Sequence, residues 1–399
     1  MLELEAAVDR ILKAVSPPIV ETTSLAEGHG RIIAETVLSP IDLPVFDNSS
    51  MDGYAVRSAD LTAVAKESPV QLKVIGRVAA GERWDGEVIP GTCVRLFTGS
   101  PLPRGADAVV MQEDTRLESS DLVSVLDSPK PWENVRLQGE DIKAGAVVAK
   151  PGEVLRTGLL TLLAATGCSS VRVGRRPVVG LLATGNELLE PGENLTRGKI
   201  YESNRVGLAS LVTRAGGIPK IFPLVEDTLE GTRLALRSAL GECDILVTSG
   251  GVSVGEMDFI KPALEEIGGA LEFWKVAIKP GRPFVFGQAQ GKLLFGLPGN
   301  PVSALVTFLL LVRPALFRWQ GAEEVSLPRS HGILSESLGN PGNRRHFMRV
   351  KISHEGQVTS AGMQASHVLS SVAAANGLVD VPPNTTLATG TTVHVIRWE

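Results

Sequence analysis

The sequence predicts a multidomain α/β plus β fold, and three observations carry that prediction. Across residues 178–318, apolar runs of strand length alternate with longer runs of helical spacing, the pattern of a mainly parallel sheet covered on both faces. On either side, residues 53–135 and 344–398 break into short β-favouring runs between Gly, Pro and Asp turns, as small β-rich domains do. The chain of 399 residues is also too long for one compact core.

The elements follow in order. Residues 2–15 have helical spacing and stop before Pro17-Pro18, and residues 23–35 read as a second helix. A connection rich in Pro, Asp and Asn spans 40–50. In the first β-rich block the expected strands are 70–78, 93–97, 108–112 and 122–126; residues 157–166 then read as a helix. After Arg175-Arg176-Pro177 the alternation begins, with strands at 178–183, 218–224, 244–248, 271–278, 283–286 and 292–297. Helices are expected at 204–215, 229–240 and 259–267, and from Pro301 to Arg318. Residues 314–328 mark a boundary, and strands at 344–352, 377–381 and 392–398 make the last β domain.

Composition narrows the function. A hydrophobic share of 43% and a charged share of 21% describe an ordinary soluble protein, and a net charge of -5 argues against a nucleic-acid partner. Cys93, Cys168 and Cys243 are far apart, signalling neither a zinc site nor a disulfide framework, which suits a reducing cytoplasm. No secretion signal opens the chain, and the longest apolar run, 304–312, is too short for a bilayer, so no membrane partner is expected.

Two glycine-rich turns stand out. Ser249-Gly250-Gly251-Val252-Ser253-Val254-Gly255-Glu256-Met257-Asp258 lies between an expected strand and helix, where backbone N–H groups can approach an anion and Glu256 and Asp258 can hold a hard cation against it. Phe295-Gly296-Leu297-Pro298-Gly299-Asn300-Pro301 repeats the arrangement, with Asn300 as N-cap and Pro301 at the first helical position. Either turn alone is more simply structural punctuation. Ligands of open α/β sheets, however, bind beyond the carboxyl ends of the strands. That edge also collects Thr184-Gly185-Asn186-Glu187, Glu226-Asp227 and Lys279-Pro280-Gly281-Arg282. If residues 273–279 are extended, Lys275 and Lys279 share one face and can converge on an anion; snorkelling lysines are the plainer alternative. Arg345, Phe347, Arg349 and Lys351 form a basic stripe that either attracts an anion or is simply wet, and Ser366 is placed to cap a helix. No zinc-spaced histidines, nucleophile elbow or Walker A loop occurs, so covalent catalysis has no support.

Asp47-Asn48-Ser49-Ser50-Met51-Asp52-Gly53-Tyr54-Ala55-Val56, the 249–258 loop, residues 275–281 and residues 296–301 together resemble, in order and over essentially the whole chain, the molybdopterin molybdenumtransferases. These are the molybdenum insertases similar to bacterial MoeA and the gephyrin E domain. The resemblance implies an elongated homodimer of four-domain chains: a discontinuous domain I (1–45 and 142–176), a β-rich domain II (46–141), a three-layer α/β domain III similar to molybdopterin adenylyltransferase (177–325) and a β domain IV (326–399). It implies insertion of molybdate into adenylylated molybdopterin with release of AMP and with Mg²⁺, and a molybdopterin adenylyltransferase upstream. By the same resemblance, Ser249, Gly250, Gly251, Ser253, Pro298, Gly299, Pro301 and Thr184 would bind phosphate and pterin, and Glu187, Asp227 and Asp258 would hold Mg²⁺ or place water. Lys275, Lys279, Arg349 and Ser366 would meet the oxyanion; Asp52, Thr98 and Asp141 would complete the partner's site, with Asp52 catalytic there and Asp141, Glu187, Asp258, Lys275 and Lys279 joining it in catalysis. Asn186 departs from the family's usual Asp, which shifts the burden of a carboxylate to Glu187. An adenylyltransferase-like nucleotide enzyme and a non-catalytic gephyrin-like scaffold stay open as alternatives.

Overall fold

The structure, a computed structural model, describes residues 1–252 and 259–398. Its central sheet has the strand order Ile218–Ile221, Val178–Ala183, Ile245–Ser249, Lys292–Leu297, Val285–Ala289, Ala270–Trp274. The first four strands run parallel, Val285–Ala289 runs antiparallel to them, and Ala270–Trp274 runs antiparallel to Val285–Ala289 in turn, so the sheet is mixed at one margin. Side chains alternate between its faces as strand geometry requires. Val179, Leu181, Val247 and Phe295 join Leu208, Leu211 and Val212 of the Asn204–Arg214 helix on one side. Leu182, Leu246 and Leu294 join Leu236, Leu240 and Leu264 of the Leu229–Glu242 and Ile260–Glu266 helices on the other. The expected three layers are therefore present.

The helix that begins at Pro301 passes through a π segment, Phe308–Val312, just before Pro314, which has no N–H for the i−4 carbonyl of Leu310. It continues to Trp319 and is longer than its apolar run suggests; by length and composition it could span a bilayer, but 72% of its most apolar window is buried inside the protein.

The N-terminal helix, Leu4–Ala14, buries Leu4, Ala7 and Ile11 in the same core as Val179 and Phe295. Leu2 is stitched to the α/β unit by its N–H to the Lys275 carbonyl and by the Ala277 N–H to its own carbonyl. The chain then leaves that unit. Val20–Ser24 pairs with Ser170–Gly174 and Val37–Leu38 with Val147–Ala149, around Ile33, Leu155, Leu163 and Val173. The helix expected at 23–35 does not form. The β-branched run Val20-Glu21-Thr22-Thr23 makes a strand, and Gly30, at φ +75°, stops any helix downstream.

Residues 53–125 form a six-stranded sheet with hydrophobic clusters on both faces, one around Tyr54, Leu72 and Val123, the other around Ala55, Val94 and Val109. At the C-terminus, Arg345–Ile352, Gln357–Ser360, Arg329–Leu334, Thr392–Arg397 and Gly377–Val381 pair in turn, and the last returns to the first, closing a barrel over Met348, Val350, Val379 and Val395. One further strand comes from the α/β unit. Ile278–Lys279 runs parallel to Arg345–Ile352, placing Lys279 opposite His346. This overturns the extended 273–279 segment. The Ala270–Trp274 strand ends, Lys275 turns through φ +79°, and Lys279 belongs to a different sheet, so the two lysines share no strand face.

Candidate functional site

The carboxyl ends of the parallel strands open into a cleft with two adjoining chambers, of about 620 and 800 Å³, which share Pro283, Pro298, Asn300 and His367. The smaller is lined by Thr184, Glu187, Asp227, Ser249, Gly250, Gly251, Gly299 and Pro301. Its glycines are required by space as well as by backbone. Gly250 and Gly251 sit at φ +89° and +64°, and a Cβ on Gly250 would lie 2.6 Å from the Thr184 carbonyl oxygen. The Gly250 N–H donates to the Leu297 carbonyl at 3.1 Å, and Gly299 lies against Gly250, so the two turns pack together. Asn300 holds the N-cap without a side-chain cap bond, and Pro301 follows it.

Asp227 is held from Asn186. The Asn186 N–H donates to Asp227 Oδ2 at 3.2 Å, and the Asp227 N–H donates to Asn186 Oδ1 at 3.0 Å. The side chain at 186 thus works as a neutral acceptor that fixes the Asp227 backbone, while the 186 N–H holds the carboxylate. Thr184 Oγ1 is buried without a hydrogen-bond partner beside Gly251.

The larger chamber is cationic. Lys279, Arg282 and Arg344 line it with Ser366, Gln364 and His346, against the one carboxylate Glu336 among its described walls. The Arg344 guanidinium donates to the Ile278 carbonyl at 2.8 Å, and burial together with Arg282 lowers its pKa. Burial, reinforced by Lys279, Arg349 and Arg344, pushes the His346 pKa down to about 4, and neither ring nitrogen has a partner.

Arg349 does not reach this chamber. It is fully buried, with Nε donating to Ser371 Oγ at 2.8 Å and Nη2 to the Met363 carbonyl at 2.8 Å and the Ala365 carbonyl at 3.2 Å. Gln364 closes the arrangement by accepting the Arg349 N–H and donating to its carbonyl. Arg349 therefore buttresses the 363–366 segment that brings Gln364 and Ser366 to the wall. The expected basic stripe dissolves further, because Arg345 pairs with Asp380 and Glu5. Ser366 lies short of the Leu369–Ala374 helix, whose N-cap is Val368, so it lines the chamber instead of capping. Lys275 lines neither chamber; its ammonium sits 4.6 Å from the centre of the Trp274 ring.

Asp52 accepts both the N–H and the hydroxyl of Thr98 at 2.8 Å, and these bonds hold its pKa below the usual carboxylate value. Asp52, Thr98 and Asp141 lie outside both chambers of their own chain. Ser253, Glu256 and Asp258 lie outside the described residues. Among the described residues no three His, Cys, Asp or Glu side chains gather around a metal position. Sequence reading missed Arg344 and His346, whose signal was the polar run Asn343-Arg344-Arg345-His346 at a strand start, and Asn204.

Three family models match in chain order: the MoeA N-terminal region (domain I and II) over residues 2–167, a probable molybdopterin binding domain over 180–318 and the MoeA C-terminal region (domain IV) over 331–398. The molybdopterin molybdenumtransferase of Haemophilus influenzae is 39% identical over 94% of this chain and 93% of its own. The chain belongs to the molybdopterin molybdenumtransferase family. Molybdopterin molybdenumtransferase 2 of Mycobacterium tuberculosis is 37% identical over 100% of this chain and 98% of its own. A crystal structure of the molybdopterin biosynthesis moeA protein from Pyrococcus horikoshii superposes with a TM-score of 0.87 at 31% identity, covering both chains fully. The multidomain α/β architecture with its C-terminal β domain is thus that of the family.

Proposed function

We propose that this transferase of molybdenum cofactor biosynthesis inserts molybdate into adenylylated molybdopterin and hydrolyses the phosphoanhydride to release AMP. The observation that carries the reading is the division of one cleft into two adjoining chambers: glycine turns with the carboxylates Glu187, Glu202 and Asp227 in one, lysine and arginines in the other. A phosphoanhydride suits the first, where the turns and the start of the Pro301 helix offer N–H groups to phosphate oxygens. A tetrahedral dianion suits the second, where Lys279, Arg282, Arg344 and Ser366 supply charge and donors. The shared wall of Pro298, Asn300 and His367 lets one substrate span both.

Asp227 and Glu187 fit a magnesium ion, being hard oxygen donors that line the smaller chamber, with Asp227 Oδ1 accepting no hydrogen bond among the described residues. Mg²⁺ there would neutralise phosphate charge. Asp258 would belong to the same set. Asp52, Thr98 and Asp141 would serve the cleft of a second copy in a homodimer, Asp52 being poised as an ionised group by its two bonds from Thr98. Adenylylated molybdopterin would come from a molybdopterin adenylyltransferase, in the cytoplasm.

The test is AMP release from adenylylated molybdopterin with and without molybdate. Molybdate-dependent release supports the proposal. Consumption of ATP with molybdopterin would instead favour an adenylyltransferase-like enzyme, and no turnover of either would favour a scaffold.

A further inference from the structure

Asn204 opens the Asn204–Arg214 helix between the two glycine turns. Its amide spends both protons on them. Nδ2 donates to Ser249 Oγ at 2.6 Å and to the Gly299 carbonyl at 2.7 Å. The residue is itself anchored from behind. Its N–H donates to Glu202 Oε1 at 2.6 Å, and Glu202 is locked to Arg205 by an Nε to Oε2 contact of 2.9 Å, each side chain only 3% exposed. Arg205 also reaches the Phe222 carbonyl and Glu190. A buried ion pair thus sets where this amide points.

We infer that Asn204 is a positioning residue: it clasps the Ser249 and Gly299 turns at one spacing and turns the Ser249 hydroxyl proton toward the anion bound between them. The inference rests on the proposed reading of the smaller chamber. An amide NH₂ can only donate, so Ser249 Oγ must accept from it. The hydroxyl proton is then left for another acceptor, and the hydrogen bonds among the described residues include none donated by Ser249 Oγ. The backbone tie from the Gly250 N–H to Leu297 secures only the base of the turns. The amide joins them at Gly299, between Pro298 and Asn300, which the second chamber shares.

An aspartate at 204 has the same shape and the opposite polarity. It would accept from Ser249, turning that proton away, and would face the Gly299 carbonyl with no donor. The test measures AMP-release kinetics and hydrogen exchange of residues 249–252 and 298–302 in wild type, Asn204→Ala, Asn204→Asp and Ser249→Ala. In Asn204→Ala we expect KM for adenylylated molybdopterin to rise about tenfold, the size of one or two neutral hydrogen bonds, with kcat within about threefold. Exchange in both turns should quicken while the melting temperature holds. Asn204→Asp should be worse than Asn204→Ala. Adding Ser249→Ala to Asn204→Ala should cost less than the sum of the two single changes. An unchanged KM and unchanged exchange in Asn204→Ala would overturn the inference, as would an aspartate milder than the alanine. Ser249→Ala leaves the helix start intact, so it decides the point if the Asn204 variants unfold. Should wild type release no AMP, the functional reading fails, and the exchange data still decide whether the clasp exists.

Discussion

Asn186 and Asp227 illustrate how a single uncharged residue can set a charged one. Two backbone-to-side-chain bonds tie them, and the amide oxygen accepts without placing a second negative charge beside the carboxylate. Replacing Asn186 by Ala keeps the 186 N–H on the Asp227 carboxylate but removes the acceptor for the Asp227 N–H, so the loop that carries Asp227 should loosen and AMP release fall about tenfold with little change in melting temperature; Asn186→Asp keeps the acceptor and should stay within about threefold. His346 makes a prediction of another kind. Below pH 6.5 an unfolded histidine takes up a proton that the buried one refuses until about pH 4, so the unfolded state gains protons first and stability falls as pH drops through that window. The gap corresponds to about 3 kcal/mol, and His346→Leu should flatten the stability-pH curve between pH 6.5 and 4 in urea titrations. At this scale the lining of the smaller chamber was legible in sequence, because Thr184, Asp227, Ser249 and Gly299 lie at the carboxyl ends of strands or in the loops that follow, where sheet topology alone collects them. The larger chamber was less so. Arg344 and His346 owe their place to a contact with Lys279 sixty-odd residues upstream, and Arg349 looks like its neighbours in sequence while its burial makes it a buttress.

Among the elements, the stretch from Ala270 to Lys279 decides most. Alternating residues suggest one strand, yet Lys275 lies in the left-handed region and splits it between two sheets. No periodicity reports a single positive φ. Since glycine adopts that conformation freely, Lys275→Gly should leave the melting temperature unchanged or higher, whereas Lys275→Val should cost about 1–3 kcal/mol in denaturant unfolding. The same reasoning explains the missing helix at 23–35. Its spacing is helical, but β-branched residues that find a partner at Ser170–Gly174 make a strand, and that partner is about 150 residues away. Apart from the 270–279 stretch, most strands and helices of the α/β unit lie close to where they were expected, because most are buried on a periodic face, a property that sequence carries locally.

The whole molecule is tied together by segments that cross between units. The N-terminal helix packs on the α/β core while the next strand joins residues 170–174, and Ile278–Lys279 joins the C-terminal barrel. Ile11 is fully buried in the α/β core, so Ile11→Ala should destabilise that unit by about 2–5 kcal/mol and quicken exchange in the Val178–Ala183 strand. An unaffected α/β unit would contradict the packing. The strand at Lys279 also makes the cleft a joint product of two units, since its cationic wall is shared by Lys279 and Arg282 on one side and Arg344 and Ser366 on the other. The account holds that the two chambers divide one reaction, and kinetics can separate them directly. AMP release should be measured in Lys279→Ala and Asp227→Ala while molybdate and adenylylated molybdopterin are varied in turn. Lys279→Ala should raise the molybdate concentration for half-maximal rate at least tenfold and spare the KM for the nucleotide substrate; Asp227→Ala should lower nucleotide turnover and spare the molybdate dependence. Both variants shifting the same parameter, or neither shifting any, would contradict it.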